Sequence, residues 1–394
     1  MIEKFTIEEI IKSEVENYFE EMIEIRRHLH KNPEVSFKEE NTAKFIENYL
    51  KDIGISNIKT KVGLHGIVAT IEVPKAKNSL AFRADFDALP INDLKNIKYK
   101  STIPNVMHAC GHDGHTATLL ITCKILMKHL DKLENNIVAI FQYGEEQAPG
   151  GAKPMIDAGA LTNVDAIFGT HLWTPLPLGT LGYSYKELCA AADRFEVIIE
   201  DTDAALIAAQ FISMAQQIVS RFATPKETLV VTIGKFQMRN NKAIISGTIR
   251  NFDKNLHTLT LEKLQKLSES LKLEYPTSTV EFIYHGGYPA LINNKKATLE
   301  ILNASKKILP NEKLVEVEPL MIGEDFAYYT ENIPGAFFLI GAGNNTFAKY
   351  PHHHPMFNFE ESVMKSAAAI FLYLAFNSKE VIANLTEEKK NEHL

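Results

Sequence analysis

The sequence predicts an α/β protein interrupted by a smaller inserted domain. Three observations carry that expectation. Up to about residue 185, short apolar runs alternate with helical patterns; from about 190 to 290 the order changes to βαββαβ; beyond that, helical patterns return around one further apolar run. At 394 residues the chain exceeds the ~250–300 at which a single core stops growing, so about two domains are expected, and a hydrophobic content of 45% can fill both.

In chain order, residues 14–31 place Tyr18, Met22, Ile25 and Leu29 three or four apart, the spacing of one helix face, and residues 41–53 and 115–130 read as helices too. Residues 66–73, 80–86, 137–143 and 166–171 are apolar runs of strand length. In the insert, 194–200 reads as a strand, 204–222 as a helix, 228–236 and 243–251 as strands, 259–275 as a helix and 279–285 as the last strand. That order is the ferredoxin-like split motif. Helices at 295–309 and 361–376, with a strand at 337–341 between them, complete the pattern.

Chemistry concentrates in H-A-C-G-H-D-G-H at 108–115, which gathers thiol, imidazole and carboxylate groups among small residues. Such donors suit zinc and its neighbours, provided one position stays open for water or substrate. The apolar run ending at Tyr143 leads into Glu145-Glu146 and a glycine turn at Gly150-Gly151. Two adjacent carboxylates at a strand end can divide the tasks of ligand and general base. His171 closes another apolar run, and His352, His353 and His354 lie further on. Together these residues supply donors for two ions, which can lower the pKa of a bound water from about 15.7 toward about 7. Cys123, Cys189, His129 and His257 read instead as packed or satisfied core residues, and only one of the three adjacent histidines need be a ligand.

A net charge of −7 and a pI near 6.1 leave no footprint for nucleic acid or an anionic membrane. No apolar run reaches the ~18 residues of a membrane span. The three cysteines do not make a disulfide framework, and a thiolate ligand favours a reducing compartment. Residues 1–10 are acidic and amphipathic, unlike a signal peptide, so a cytoplasmic protein is expected.

Seven ordered segments also form a pattern: R-R-H-L-H-K-N-P-E at 26–34, R-A-D-F-D-A-L-P at 83–90, the 108–115 cluster, G-E-E at 144–146, G-T-H at 169–171, G-E-D-F at 323–326 and H-H-P-M-F at 353–357. On these the chain resembles the M20 metallopeptidase and amidohydrolase superfamily, in its aminoacylase, hippurate hydrolase and auxin-conjugate hydrolase branch, over nearly its whole length. The resemblance implies a phosphorylase/hydrolase-like metallo-exopeptidase catalytic domain, discontinuous over 1–189 and 291–394. Residues 190–290 would be an inserted lid and dimerisation domain, giving a homodimer or homotetramer. It further implies two divalent metal ions per subunit, zinc, manganese, cobalt or nickel, held by Cys110, His112, Glu146, His171 and His353, with the Cys110 thiolate bridging. His353 is chosen because the branch places the ligand two residues before the proline, here Pro355. Glu145 would be the general base. Asp85 would stand behind a ligand histidine and fix its tautomer, and Glu324 and Asp325 would shape the floor of the site.

The insert departs from the branch. Its relatives carry a glycine-rich segment with a histidine that reaches a substrate carbonyl; here Glu200-Asp201-Thr202-Asp203 runs straight to Ala204, and no histidine lies between His171 and His257. The turn between the middle lid strands is likewise shortened, to Met238-Arg239-Asn240-Asn241-Lys242, where Asn240 or Asn241 is the available substitute. Losing an oxyanion donor costs about 10²–10³ in turnover. The expected function is metal-dependent hydrolysis of the amide bond in N-acyl amino acids, N-acetyl or aromatic, or in similar small conjugates. The alternative is a catalytically weakened paralogue that binds a small molecule or metal.

Overall fold

The computed structural model describes residues 5–386; residues 1–4 and 387–394, which include the start of the acidic amphipathic segment and the end of the expected catalytic domain, lie outside them. The chain forms two compact units. One runs up to Lys186 and includes Asn293–Glu318 and the chain from Tyr328 on; the other is Glu187–Ile292 with Pro319–Ala327. The strands are β1 (Asn57–Val62), β2 (Gly66–Ile71), β3 (Ser79–Asp85), β4 (Asn136–Gln142), β5 (Ala166–Pro177), β6 (Thr180–Tyr183), β7 (Glu187–Cys189), β8 (Ala191–Glu200), β9 (Leu229–Arg239), β10 (Lys242–Asn251), β11 (Thr279–Tyr288), β12 (Leu291–Ile292), β13 (Lys313–Glu316) and β14 (Gly335–Gly343).

In the first unit one eight-stranded sheet has the order β1-β2-β4-β3-β5-β14-β6-β13. Its centre is parallel: β3 runs with β4 and β5, and β5 with β14. Every residue of β3 and β14 is buried, which accounts for the unbroken apolar run of β14 and for the lack of in–out alternation in β3, whose Arg83 and Asp85 are buried as an ion pair. Helices cover the sheet, and His112–Lys128 and Val363–Phe376 are buried over most of their surface. At the packing centre the ring of Phe82 lies 4.7 Å from Phe371 and 6.4 Å from Phe168. The strands that periodicity did not reveal are short or polar: β1 reads N-I-K-T-K-V, and β6, β7, β12 and β13 are two to four residues long.

The expected helix over 14–31 is two helices, Ile7–Asn17 and Phe19–Lys31. A capping box of Thr6 and Glu9 starts the first one upstream. Tyr18, at φ −102° and ψ 7°, breaks the register, and its ring lies 4.9 Å and 5.5 Å from the ammonium groups of Lys124 and Lys128.

The second unit has the βαββαβ order. Helices Ala204–Phe222 and Lys254–Glu274 alternate with an antiparallel sheet β11-β8-β10-β9. Phe195, Val197 and Ile199 alternate inward from β8 to join Ile207, Phe211 and Ala215 in one core. Of the five residues read as a shortened loop, Met238, Arg239 and Lys242 pair as strand, and only Asn240 and Asn241 turn, with Asn240 at φ 53°. Pro319–Ala327, inside the range expected for the catalytic domain, groups with this unit because Leu320 exchanges backbone hydrogen bonds with Leu188 and Ala190 and Arg250 donates to the Met321 carbonyl. Glu324 and Asp325 therefore belong to the second unit.

Among the described residues no single helix is long and apolar enough to cross a membrane; the apolar pair Val363–Phe376 and Ser378–Thr386 is bent by 74°.

Replacing Phe82 by Ala removes a fully buried ring and is expected to cost about 3–5 kcal/mol. Urea unfolding followed through Trp173, the single tryptophan and a residue of β5 in the same unit, measures it. A shift below about 1 kcal/mol, well under that range, would contradict the packing.

Candidate metal centre

The parallel order of β4, β3 and β5 delivers their carboxyl ends to one edge, where open α/β sheets place their ligands. Asp85 ends β3 opposite Gln142, the end of β4, and Glu145 and Glu146 follow. His171 is carried within β5. His112 opens a helix immediately after Gly111, whose φ of 95° lies in the left-handed region that glycine adopts without strain. His353 lies in the connection after β14 at φ 64°, a conformation costly for a non-glycine residue and typical of functional sites. Its N–H donates to the Ala109 carbonyl at 2.8 Å.

These segments bring the expected donors together. Cys110 Sγ is 3.4 Å from His171 Nε2, and His353 Nε2 is 3.1 Å from Glu146 Oε2. His112 Nε2 is 3.8 Å from Glu146 Oε1 and 3.6 Å from Asp85 Oδ2. Donor atoms of Cys110, Glu146 and His353 lie within 4.8 Å of one another, as do those of Cys110, His171 and His352, and those of His112, Glu145 and Glu146. Cys110 is common to the first two groups.

Neighbouring groups set the tautomers. His112 Nδ1 donates to the Asp87 carbonyl at 3.0 Å and lies 3.2 Å from Asp87 Oδ1, which leaves Nε2 as a lone pair aimed at the cluster. His171 Nδ1 donates to the Leu172 carbonyl at 3.0 Å and turns Nε2 toward Cys110. His352 Nε2 donates to the same carbonyl at 3.1 Å, and its ring stacks on Trp173 at 4.3 Å.

The carboxylate behind His112 is that of Asp87, while Asp85, expected behind a ligand histidine, stands behind His115. Asp85 takes Nδ1–H of His115 at 2.7 Å and pairs with Arg83 at 2.6 Å. The other nitrogen of His115 accepts the Leu172 N–H at 3.0 Å, so both are engaged. Asp87 Oδ2 also accepts the Glu146 N–H at 2.9 Å and the Ser36 hydroxyl at 2.7 Å. R-A-D-F-D-A-L-P held both aspartates, but a spacing of two does not reveal which one meets the helix once the strand has ended.

His112 Nε2 and Glu146 Oε1 are buried and have no hydrogen-bond partner among the described residues. Such atoms typically cost ~1–3 kcal/mol each, and a cation between them satisfies both. The titration behaviour agrees. Burial opposes charge on His112, yet Asp85, Asp87 and Glu146 raise its pKa to about 10. Burial and then Glu146, Glu145 and Asp85 push the Cys110 thiol well above its ordinary range. Burial and neighbouring imidazoles hold His171 neutral, and burial takes His352 down to about 3. A dry cluster crowded with negative charge is a field that a divalent cation relieves, and a bound cation inverts the first two shifts by taking a thiolate and a neutral imidazole. The residues fit a metal.

Comparison with known proteins gives the same picture. The model of peptidase family M20/M25/M40 matches residues 81–377. The YhaA protein of Bacillus subtilis, named as an amidohydrolase, is 42% identical over 93% of this chain and 96% of its own. IAA-amino acid hydrolase ILR1-like 5 of Arabidopsis thaliana is 34% identical, covering 91% of this chain and 87% of that protein. N-acetyl-L-cysteine deacetylase of Bacillus subtilis is 33% identical, covering 94% and 90%. Two crystal structures superpose closely. One is a Staphylococcus aureus protein named as an aminohydrolase, with a TM-score of 0.88, 34% identity and coverage of 93% of this chain and 98% of that one. The other is Bacillus subtilis YXEP, a dinuclear metal-binding peptidase of the M20 family, with a TM-score of 0.80, 32% identity and coverage of 93% and 99%.

Truncating Asp87 removes the Oδ1 contact to His112 and the acceptor of the Glu146 N–H, leaving only the Asp87 backbone carbonyl to hold the ring. Asp87→Ala is expected to weaken divalent-metal binding by roughly 10–100-fold, read by competition with a chromophoric chelator. Wild-type affinity in that variant would mean that Asp87 does not orient the donors.

Proposed function

We propose, for a chain that belongs to peptidase family M20/M25/M40 and is a metal-dependent hydrolase of amide bonds, that its substrates are N-acyl amino acids or similar small conjugates and that Glu145 is its general base. The observation that carries this reading is the pair of orphaned buried atoms, His112 Nε2 and Glu146 Oε1, beside a thiol common to two donor groups. Cys110, His112, Glu146, His171 and His353 would hold the two ions, Cys110 belonging with Glu146 and His353 in one group of donors and with His171 in another. When bound, two such ions supply Lewis-acid polarisation of the scissile carbonyl and acidify the attacking water.

The chain's own residues do the rest. The Glu145 carboxylate, within 4.8 Å of the donor atoms of His112 and Glu146, takes the proton of the attacking water on an oxygen and passes it to the leaving nitrogen. Asp87 and the Leu172 carbonyl hold His112 and His171 in the tautomers that present Nε2. The mixture of thiolate, imidazole and carboxylate supports zinc, with manganese, cobalt or nickel as other occupants set by availability. Relatives named for hydrolysis of IAA–amino acid conjugates and deacetylation of N-acetyl-L-cysteine support a small carboxylic acyl group on an amino acid, and they favour an active enzyme over a weakened paralogue. A thiol that must ionise onto a metal supports a reducing, cytoplasmic setting.

We assign the second unit the roles of lid and dimerisation module, giving a homodimer or, by a further contact, a homotetramer. Helix Ala204–Phe222 carries no charge before Arg221 and exposes Leu206 and Met214, and the adjoining edge strand β9 exposes Phe236 and Met238. An uncharged helix beside an unpaired strand edge supports association with a second copy.

Glu145→Gln is expected to lower release of amino acid from N-acetyl and N-benzoyl substrates by about 10²–10⁴-fold while both ions remain bound, as a paired activity and metal analysis reads. Unchanged turnover would remove Glu145 from the mechanism. Leu206→Glu with Phe236→Glu should convert the assembly to monomers in sedimentation velocity; an unaltered sedimentation coefficient counts against this interface.

A further inference from the structure

Behind the donors lies a second buried charge cluster that the hydrolytic chemistry does not use. Arg26, in helix Phe19–Lys31, is fully buried. Its Nε is 2.9 Å from Asp113 Oδ2, one terminal nitrogen is 3.0 Å from Glu361 Oε1, and the other donates to Asn358 Oδ1 at 2.9 Å. The guanidinium carbon sits 4.7 Å and 4.5 Å from the ring centres of Tyr99 and Phe359. His30 Nδ1 lies 2.8 Å from the same oxygen of Asp113.

The ends of this clamp are what matter. Asp113 directly follows His112 in the first turn of its helix, and Asn358, Phe359 and Glu361 lie on the segment that carries His353. One planar fork therefore ties the segment bearing Cys110 and His112 to the segment bearing His353, a geometry that a bidentate guanidinium holds and a flexible ammonium does not. A second route runs in parallel: His30 Nε2 is 3.4 Å from Asp93, which pairs with Lys95 at 3.0 Å, and the intervening Leu94 N–H donates to the Pro355 carbonyl at 3.1 Å. His353 needs such support. Its backbone is in the left-handed region and its side chain is 52% exposed, so packing does not define where its ring sits.

We propose that Arg26 is a positioning residue for His353, holding that imidazole at the correct reach from Cys110 through Asn358 on one side and Asp113 on the other. The inference rests on the reading of His353 as a metal ligand. Arg26 touches neither substrate nor ion. Through Asn358 its effect falls on the ion that His353 helps to hold.

The test is zinc binding to the full-length protein after chelator stripping, by competition titration, with the cobalt-loaded protein's absorption spectrum as a second readout. Asn358→Ala removes the acceptor on the His353 segment and should weaken one of two ions by roughly 10–100-fold and leave the other as in wild type; Arg26→Gln removes the fork from both segments and should weaken that same ion at least as much. Asn358→Asp keeps the acceptor oxygen and should bind both ions normally. Arg27→Gln, which cuts the half-exposed neighbour's pairing with Glu361 and its contact with the Tyr99 ring but leaves the Arg26 fork, should also bind both. Asn358→Ala combined with His353→Ala should be no worse than His353→Ala alone, because the two changes disable one element. Should Arg26→Gln not fold, the Asn358 variants decide the matter. Normal binding of both ions in Asn358→Ala, or equal weakening of both ions that adds to His353→Ala, would overturn the clamp as a merely structural cluster. Normal binding in His353→Ala itself would instead bring down the ligand assignment, and the clamp with it.

Discussion

The structure depends on a concentration of buried negative charge at whose centre two polar atoms, His112 Nε2 and Glu146 Oε1, have no hydrogen-bond partner among the described residues. Glu145, Glu146, Asp85, Asp87 and a cysteine are brought to one buried edge of a parallel sheet, where low dielectric magnifies their mutual repulsion. Arg83 pairs with Asp85, and the imidazole of His112, facing Asp85, Asp87 and Glu146, responds with a pKa near 10. A site built this way selects for a compact multivalent cation. The elements around it can be understood as the means of keeping these groups together: buried strands for rigidity, and a helix start after a left-handed glycine to bring Cys110 and His112 close.

Rigid strands are not sufficient, because an imidazole offers either of two nitrogens. Orientation is settled by groups of ordinary kinds. The Leu172 peptide serves three histidines, its carbonyl accepting from His171 and His352 and its N–H reaching His115. Asp87 serves His112, the Glu146 backbone and Ser36 at once. Because each hub serves several groups, a change at one reaches more than one donor residue.

The second unit has the split βαββαβ order with short turns. A two-residue hairpin at Asn240-Asn241 and a three-residue turn at Asp201-Thr202-Asp203 leave no histidine on these connections. The core of the unit is undisturbed, since Phe195, Val197 and Ile199 still alternate onto the helix behind them. The length of such turns changes what a domain presents without changing how it folds, because stability resides in the buried face and function in the connections.

Fold class and chemistry were legible from the chain alone. Unbroken apolar runs announced buried parallel strands, the change of order near residue 190 announced the insert, and the thiol, imidazole and carboxylate residues that gather at the centre could be named from their motifs. Each of these is written in local composition and period. Three things were decided only by tertiary structure. Asp87 rather than Asp85 stands behind His112, because a strand's alternation stops carrying information once the strand ends at Asp85. Pro319–Ala327 joins the second unit through hydrogen bonds to residues about 130 positions earlier in the chain, a pairing no local pattern encodes. Arg26 meets Asn358 across more than 300 residues, and its burial is intelligible only when the segments it joins are seen side by side. Sequence writes the inventory of donors; long-range contact alone sets the angle and distance at which each one is presented.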